Sequence, residues 1–264
     1  MKFSSGLLPV AFTCLIVHTM AQQPLVIAHR GFSFAAPENT LSAFQAAIEI
    51  GAPYFELDVQ SSKEGIPMVL HDETLDKTTS SGHRGAINER SIAELNAVHV
   101  GYPKRFGDAF EHEPLPTLRQ ALALAKSNIR VCVEIKVAGI ESAIVEDIRA
   151  TEMTDDVIIF SFLPEVLQSI HAIAPELPLL FLKEEAGVSD LDQAMELHAS
   201  AIGVGGKTGL NESFLQAAKD RGLEVWRWTV DDPAELQEMM KLQVAAIITN
   251  RPDLALSLLQ QNGR

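Results

Sequence analysis

Apolar and polar positions alternate with the two-residue period of a strand in stretches that recur along the chain, separated by segments with helical spacing. The strand-like stretches are Leu25 to His29, Tyr54 to Val59, Ile129 to Lys136, Val157 to Ser161, Leu177 to Leu182, Ala201 to Gly205, Glu224 to Val230 and Ala245 to Thr249. Helices are predicted at Thr40 to Ile50, Glu141 to Thr151, Pro164 to Ala174, Leu191 to His198, Glu212 to Arg221, Pro233 to Leu242 and Pro252 to Gln260. Several open on start signals: Asn39 before Thr40, Asn211 before Glu212, and Asp232-Pro233. Eight strands in alternation with helices predict an α/β fold of the (β/α)8 TIM-barrel type in preference to a doubly wound sheet.

The alternation is interrupted once, between the second and third strands. Residues 61–116 form an insertion with a short strand at Met68 to His71, a Gly-, Ser- and Thr-rich turn from Thr78 to Gly85, and a helix near Ser91 to Ala97. Insertions in such barrels usually sit over the C-terminal mouth, where loops shape the substrate site. No composition shift marks a second domain, so residues 22–264 are read as one domain.

Two strands break the apolar rule on one face. In Tyr54-Phe55-Glu56-Leu57-Asp58-Val59 the two acids share a side, with Phe55, Leu57 and Val59 opposite. In Val131-Cys132-Val133-Glu134-Ile135-Lys136-Val137, Glu134 and Lys136 share a side in the same way. Three carboxylates on an inward face repel one another unless a cation lies between them. Glu56, Asp58 and Glu134 are therefore the candidate ligands of a divalent ion, and oxygen ligands without Cys or His suit Ca²⁺ or Mg²⁺ better than Zn²⁺.

Composition narrows the partners. The chain has 264 residues and a formal net charge of −14, which disfavours purely electrostatic binding to nucleic acid or to an anionic membrane surface. An anionic substrate needs a local cationic pocket. Residues 1–21 read as a secretory signal peptide: Lys2, an apolar run from Leu7 to Val17 broken by Pro9 and Thr13, then Thr19-Met20-Ala21. The run is too short for a stable membrane anchor, so the mature protein is expected to be exported, to the periplasm or beyond the cell. Cleavage near Ala21 removes Cys14 and leaves Cys132 as a buried small hydrophobe.

Active residues of a barrel lie at the C-terminal ends of its strands. Those ends read His29-Arg30-Gly31, Glu56-Leu57-Asp58, Leu70-His71-Asp72 in the insertion, and Glu134-Ile135-Lys136. Together with Pro37-Glu38-Asn39-Thr40, Pro116-Thr117-Leu118, Trp228-Thr229-Val230 and Ile248-Thr249-Asn250-Arg251-Pro252, this ordered series resembles the motifs of the glycerophosphodiester phosphodiesterases, from Val26 to about Pro252. The resemblance implies that Glu56, Asp58 and Glu134 bind the metal, that His29 and His71 are acid and base in an order left open, and that Arg30 and Lys136 contact the phosphate. Trp228 shares a face with Glu224 and Trp226, and either fills the core or lines the substrate pocket. Glu38 and Asn39 either start the first helix or join the site, and Asp72 is read as a turn residue. Lys77 stands where the resemblance leads one to expect Arg. Asp231 and Asn250 also depart from the family pattern, and all three departures are expected to bear on substrate choice without touching the metal or the histidines.

The expected activity is metal-dependent hydrolysis of a small-molecule glycerophosphodiester to glycerol 3-phosphate and an alcohol. The alternatives are a phospholipase D-like enzyme acting on lysophospholipids, which aromatic residues Tyr102, Phe106 and Phe110 of the insertion would favour, and a catalytically silent exported binding protein. Head group and oligomeric state stay open at this point.

Overall fold

The computed structural model describes residues 23–206 and 210–262, so the expected leader at 1–21 lies outside the described residues. Strand β1 (Leu25–Ala28) is followed by α1 (Leu41–Glu49) and β2 (Tyr54–Ser61). The insertion contributes β3 (Pro67–Val69) and the short helices α2 (Ile92–Leu95) and α3 (Pro103–Phe106). Regular alternation then resumes with α4 (Leu118–Ala125), β4 (Arg130–Ile135), α5 (Glu141–Ala150), β5 (Val157–Ser161), α6 (Pro164–Ile173), β6 (Leu179–Lys183) and α7 (Val188–Glu196). It ends with β7 (Ala201–Val204), α8 (Glu212–Asp220), β8 (Glu224–Arg227), α9 (Pro233–Leu242), β9 (Ala246–Thr249) and α10 (Pro252–Asn262).

All strands except β3 run parallel, and β1 pairs with both β9 and β2, which closes the sheet into a (β/α)8 barrel. Strand β3 lies antiparallel on β2 outside that ring. The two faces of each strand supply two separate cores. Phe55, Leu57, Val59, Val131, Val133 and Ile135 point outward and bury against the helices. Tyr54, Cys132, Phe160, Leu180, Trp226 and Ala246 fill the barrel interior. Because side chains alternate, Glu56, Asp58 and Glu134 fall on the interior face above this plug.

Several local outcomes differ from the sequence pattern, among them the unexpected α3 and a β8 that ends at Arg227 and not at Val230. Residues 118–125, unassigned from sequence, form α4, the crossover helix between β2 and β4: Thr117 and Gln120 make a capping box, and Leu118, Ala121, Leu122 and Ala125 bury one face. Helix α1 is capped by Thr40, whose hydroxyl accepts from the Ala43 amide, and not by Asn39. The inserted strand ends at Val69, two residues short of His71, which lies on the bend that follows. The insertion packs on its own small core of Met68, Leu70, Leu75, Ile87, Leu95, Val98, Val100 and Leu115, and this fixes the bend against the barrel mouth.

Candidate active site

His29, Lys136 and Trp228 are each the residue immediately after a barrel strand, β1, β4 and β8 respectively. They meet Arg30, Glu56, His71 and Glu134 around a cavity of about 270 Å³, which is lined as well by the apolar Phe160, Phe162, Leu182 and Ile248 and by Glu184 and Thr229. All the residues singled out from the sequence therefore converge on one place, with Asp58 buried beneath them. Trp228 lines this cavity edge-on to Phe162, while Trp226, two residues earlier, plugs the barrel against Phe160. A larger hollow of about 450 Å³ lies between Gln23 and Gln243 at the other end of β8 and β9, away from these groups.

The acids are set by strand register. Asp58 on β2 lies directly opposite Glu134 on β4, and Glu56 opposite Cys132. One oxygen from each of Glu56, Asp58 and Glu134 falls within 4.8 Å of the other two. Burial raises the Glu56 carboxyl well above its usual range, and the charges of Asp58 and Glu134 push the same way. Glu134 is pushed up to about 7 by burial and by Asp58, against the pull of Lys136. Burial would raise Asp58 as well, but Arg30, Lys136 and His71 outweigh it and hold that carboxyl low. Glu56 Oε1 and Asp58 Oδ1 are buried without a hydrogen-bond donor. Two orphaned carboxylate oxygens in a cluster of oxygen-only ligands fit a hard divalent cation, which would satisfy both oxygens and cancel the mutual repulsion.

Loop geometry after β1 delivers the cations. Gly31 has φ +77°, and a Cβ there would come within 2.6 Å of the Ala43 carbonyl carbon, so only glycine lets the chain lie against α1. The turn brings the Arg30 amide to 2.8 Å from Glu56 Oε2 and the Arg30 guanidinium to 3.2 Å from Asp58 Oδ2. Arg30 Nη1 also donates to Glu38 at 2.8 Å, and Lys77 from the insertion donates to the same Glu38 oxygen at 2.9 Å. Lys136 Nζ lies 2.6 Å from Glu134 and 3.5 Å from Asp58. Burial opposes the charge on Arg30, yet its acidic neighbours Asp58, Glu38 and Glu56 raise its pKa and keep it a fixed cation.

Both histidines are oriented through Nδ1. His71 Nδ1 donates to Asp72 Oδ1 at 2.6 Å, so Asp72 is a partner of His71 and more than a turn residue. His29 Nδ1 is 2.8 Å from Asn250 Oδ1, and its Nε2 is 4.0 Å from Glu56. Burial, reinforced by Arg30, lowers the His29 imidazole to about 4. The departure at Asn250, expected to leave the histidines untouched, thus reaches His29 directly, that at Asp231 reaches it through Asn250, and Lys77 reaches Arg30 through Glu38. Asn39, Glu38, Asp72, Asp231 and Asn250 complete the surroundings of the site. Asp72 stands next to His71 and Glu38 close to Arg30, in segments the sequence already marks, whereas Asn250 meets His29 across 221 positions and leaves no spacing to read.

The fold and the cluster at its mouth define a (β/α)8 barrel enzyme equipped to bind an anion beside a divalent cation. The chain belongs to the glycerophosphoryl diester phosphodiesterase family, which it matches over residues 29–254. It is 33% identical over 245 residues to a glycerophosphodiester phosphodiesterase of Caldanaerobacter subterraneus, covering 90% of this chain and 99% of that one. Among solved structures it is similar to a glycerophosphodiester phosphodiesterase of Agrobacterium tumefaciens, with 30% identity, TM-score 0.79, and coverage of 89% and 99%. An Oleispira antarctica phosphodiesterase in complex with the product sn-glycerol-3-phosphate is 26% identical, with TM-score 0.84 and coverage of 90% and 97%.

Proposed function

We propose that this protein is a divalent-metal-dependent glycerophosphodiester phosphodiesterase that releases glycerol 3-phosphate and an alcohol. The observation that carries the reading is the convergence of Glu56, Glu134, His29, His71, Arg30 and Lys136 around one cavity, with Asp58 clustered against the two other acids and Arg30. The family's activity and the product found in the Oleispira enzyme agree with it.

Glu56, Asp58 and Glu134 would hold the metal, Ca²⁺ or Mg²⁺, since all the ligand atoms are hard oxygens. A divalent cation bound there supplies Lewis-acid stabilisation of the negative charge on the phosphoryl group. Arg30 and Lys136 flank the acids and would hold the phosphate oxygens, the first as a planar fork and the second as a point charge. Both histidines have Nδ1 engaged, which leaves each Nε2 for proton transfer. One would take the proton of the nucleophile, either water or the neighbouring glycerol hydroxyl, and the other would protonate the leaving alkoxide. Phe162 and Trp228 form the apolar wall against which the glycerol carbons or the alcohol would lie while water is excluded.

We also propose export, on the leader-like composition of residues 1–21. Among the described residues no helix is long and apolar enough to cross a membrane. Tyr102, Phe106 and Phe110, the residues that would favour a lysophospholipid substrate, stack edge-on with one another and do not line the cavity. The test is release of glycerol 3-phosphate from glycerophosphocholine with Ca²⁺ or Mg²⁺ and with chelator. Metal-dependent release is expected. Full activity in excess chelator, or release of choline from lysophosphatidylcholine alone, would overturn the reading.

A further inference from the structure

Asn250 is gripped from several sides. Its Nδ2 donates to Asp231 Oδ2 at 2.7 Å, its backbone amide donates to Asp231 Oδ1 at 2.8 Å, and the Ser33 hydroxyl donates to its Oδ1 at 2.7 Å. The remaining contact of that Oδ1 is His29 Nδ1, at 2.8 Å. An ionised aspartate only accepts hydrogen bonds, so the Asn250 atom facing Asp231 Oδ2 has to be the NH₂ group. The amide oxygen is then turned to His29, and His29 Nδ1 has to carry a proton. The lone pair of the neutral ring is left on Nε2, the nitrogen on the Glu56 side of the cavity.

We propose that Asp231 is a positioning residue that acts through Asn250 to hold His29 in the Nδ1–H tautomer, with Nε2 open to the cavity. The catalytic consequence rests on the phosphodiesterase reading, whereas the tautomer does not. Asp231 is exposed in the connection between β8 and α9, outside the cavity lining, so it acts only through its neighbour. The competing account is architectural, because Asp231 Oδ1 also accepts from the Thr249 hydroxyl at 3.0 Å and so ties the end of β9.

Asp231→Asn separates the two roles. It keeps the volume and the Oδ1 acceptor that serves Thr249 and the Asn250 amide, but it turns an NH₂ group toward the Asn250 NH₂. Two donors cannot pair, so the Asn250 amide flips, presents NH₂ to His29 Nδ1, and drives the ring proton to Nε2. Adding Asn250→Asp restores the pairing on both sides, since a carboxylate at position 250 accepts from the NH₂ group introduced at position 231 and from His29 Nδ1–H alike.

The experiment is ¹⁵N NMR of the full chain with ring-labelled histidine, the His29 signal being assigned by its loss in His29→Gln, together with steady-state kinetics on glycerophosphocholine. The parent is expected to show Nδ1–H. Asp231→Asn is expected to show Nε2–H and a kcat lowered by roughly tenfold or more, as for an impaired acid or base, with KM and melting temperature near the parent's. The double variant Asp231→Asn/Asn250→Asp is expected to recover both Nδ1–H and most of kcat. Parental tautomer and kcat in Asp231→Asn would overturn the proposal, as would a loss of kcat that follows the melting temperature and is not recovered by the double variant. A parent that shows Nδ1–H but turns over no glycerophosphodiester would refute the functional reading alone, because the NMR signal is read without substrate.

Discussion

Asn39 holds Asp58 at two points: its side-chain amide donates to Asp58 Oδ2 at 2.8 Å, and its Oδ1 accepts from the Asp58 backbone amide at 3.1 Å. Both residues are buried, and Asn39 has φ +60°, a conformation that Asn tolerates better than most residues. One side chain thus sets the rotamer of an inward acid while its own backbone turns the chain into α1. Asn39→Ala is expected to destabilise the fold by about 2–4 kcal/mol, from two lost buried hydrogen bonds and a positive φ on alanine. Divalent-ion affinity should fall by roughly 10- to 100-fold, the usual cost of losing a partner behind a metal ligand. Thermal unfolding and calorimetric titration with Ca²⁺ and Mg²⁺ check the two effects separately. Parental ion affinity in this variant would show that Asp58 needs no such support.

The raised carboxyls predict how the chelated protein responds to pH. Glu134, at about 7, and Glu56, well above its usual range, bind protons more tightly folded than unfolded. Their stabilisation is complete below about pH 4.5 and is lost as pH rises through the folded values. His29 works in the opposite sense: with a folded value near 4 it binds fewer protons than the unfolded chain between about pH 4 and 6.5, so its contribution grows with pH over that window. The two acids outnumber the one base, and the melting temperature in chelator should fall from about pH 5 to about pH 8. Glu134→Gln should flatten that fall and His29→Gln should steepen it. A melting temperature that rises across the range in all three proteins would refute the assignment of the carboxyls as proton-binding groups.

His71 and His29 are predicted to be separately indispensable. Replacing either by alanine should lower kcat by at least ~10², the usual contribution of a general acid or base. Asp72→Asn should have a smaller effect in the same direction, because Asn retains an acceptor for His71 Nδ1 but not the negative charge. Kinetics at saturating metal and substrate decide it. Parental turnover in His71→Ala would make that residue structural.

The barrel is legible in the sequence because its signal is periodic. Inward acids stand out on β2 and β4 only because every alternate neighbour, from Phe55 to Ile135, is apolar. His29 and Lys136 are legible for the same reason, since a strand end is a place that periodicity marks, whereas Trp228 falls inside the expected strand Glu224 to Val230 and reaches the mouth because β8 stops at Arg227. Helix α4 escapes such a reading because it begins directly after an irregular insertion and spans only Leu118–Ala125, although the Thr117-to-Gln120 capping box that starts it is a signal the sequence carries. The supports of the site are less legible still. Asp231, Asn250 and Ser33 come together with His29 only when the sheet closes, through contacts 217 and 221 positions apart for Ser33 and His29 with Asn250. Polar loop residues carry no period, and their partners are chosen by three-dimensional register.

Lys136 poses the sharpest choice between stability and catalysis. Its ammonium is ion-paired with Glu134 and Asp58, and it also lines the cavity with Phe162 and Arg30. Burial opposes its charge, but Glu134 and Asp58 raise its pKa, so it remains a cation throughout the neutral range. A purely structural ion pair would make Lys136→Met a stability lesion, since two buried acids would lose a counter-charge. A phosphate-binding role would make it a kinetic one. Both effects are expected, and metal separates them. In chelator the variant should melt below the parent, because Glu134 and Asp58 then face each other with less compensation. With saturating Ca²⁺ or Mg²⁺ the acids have a second counter-charge and the melting temperatures should converge. The loss of kcat/KM should persist at roughly 10- to 100-fold under those same conditions, the equivalent of one charge-assisted hydrogen bond of about 1.5–3 kcal/mol to the substrate anion. A metal-saturated Lys136→Met that turns over like the parent would assign Lys136 to the ion pair alone.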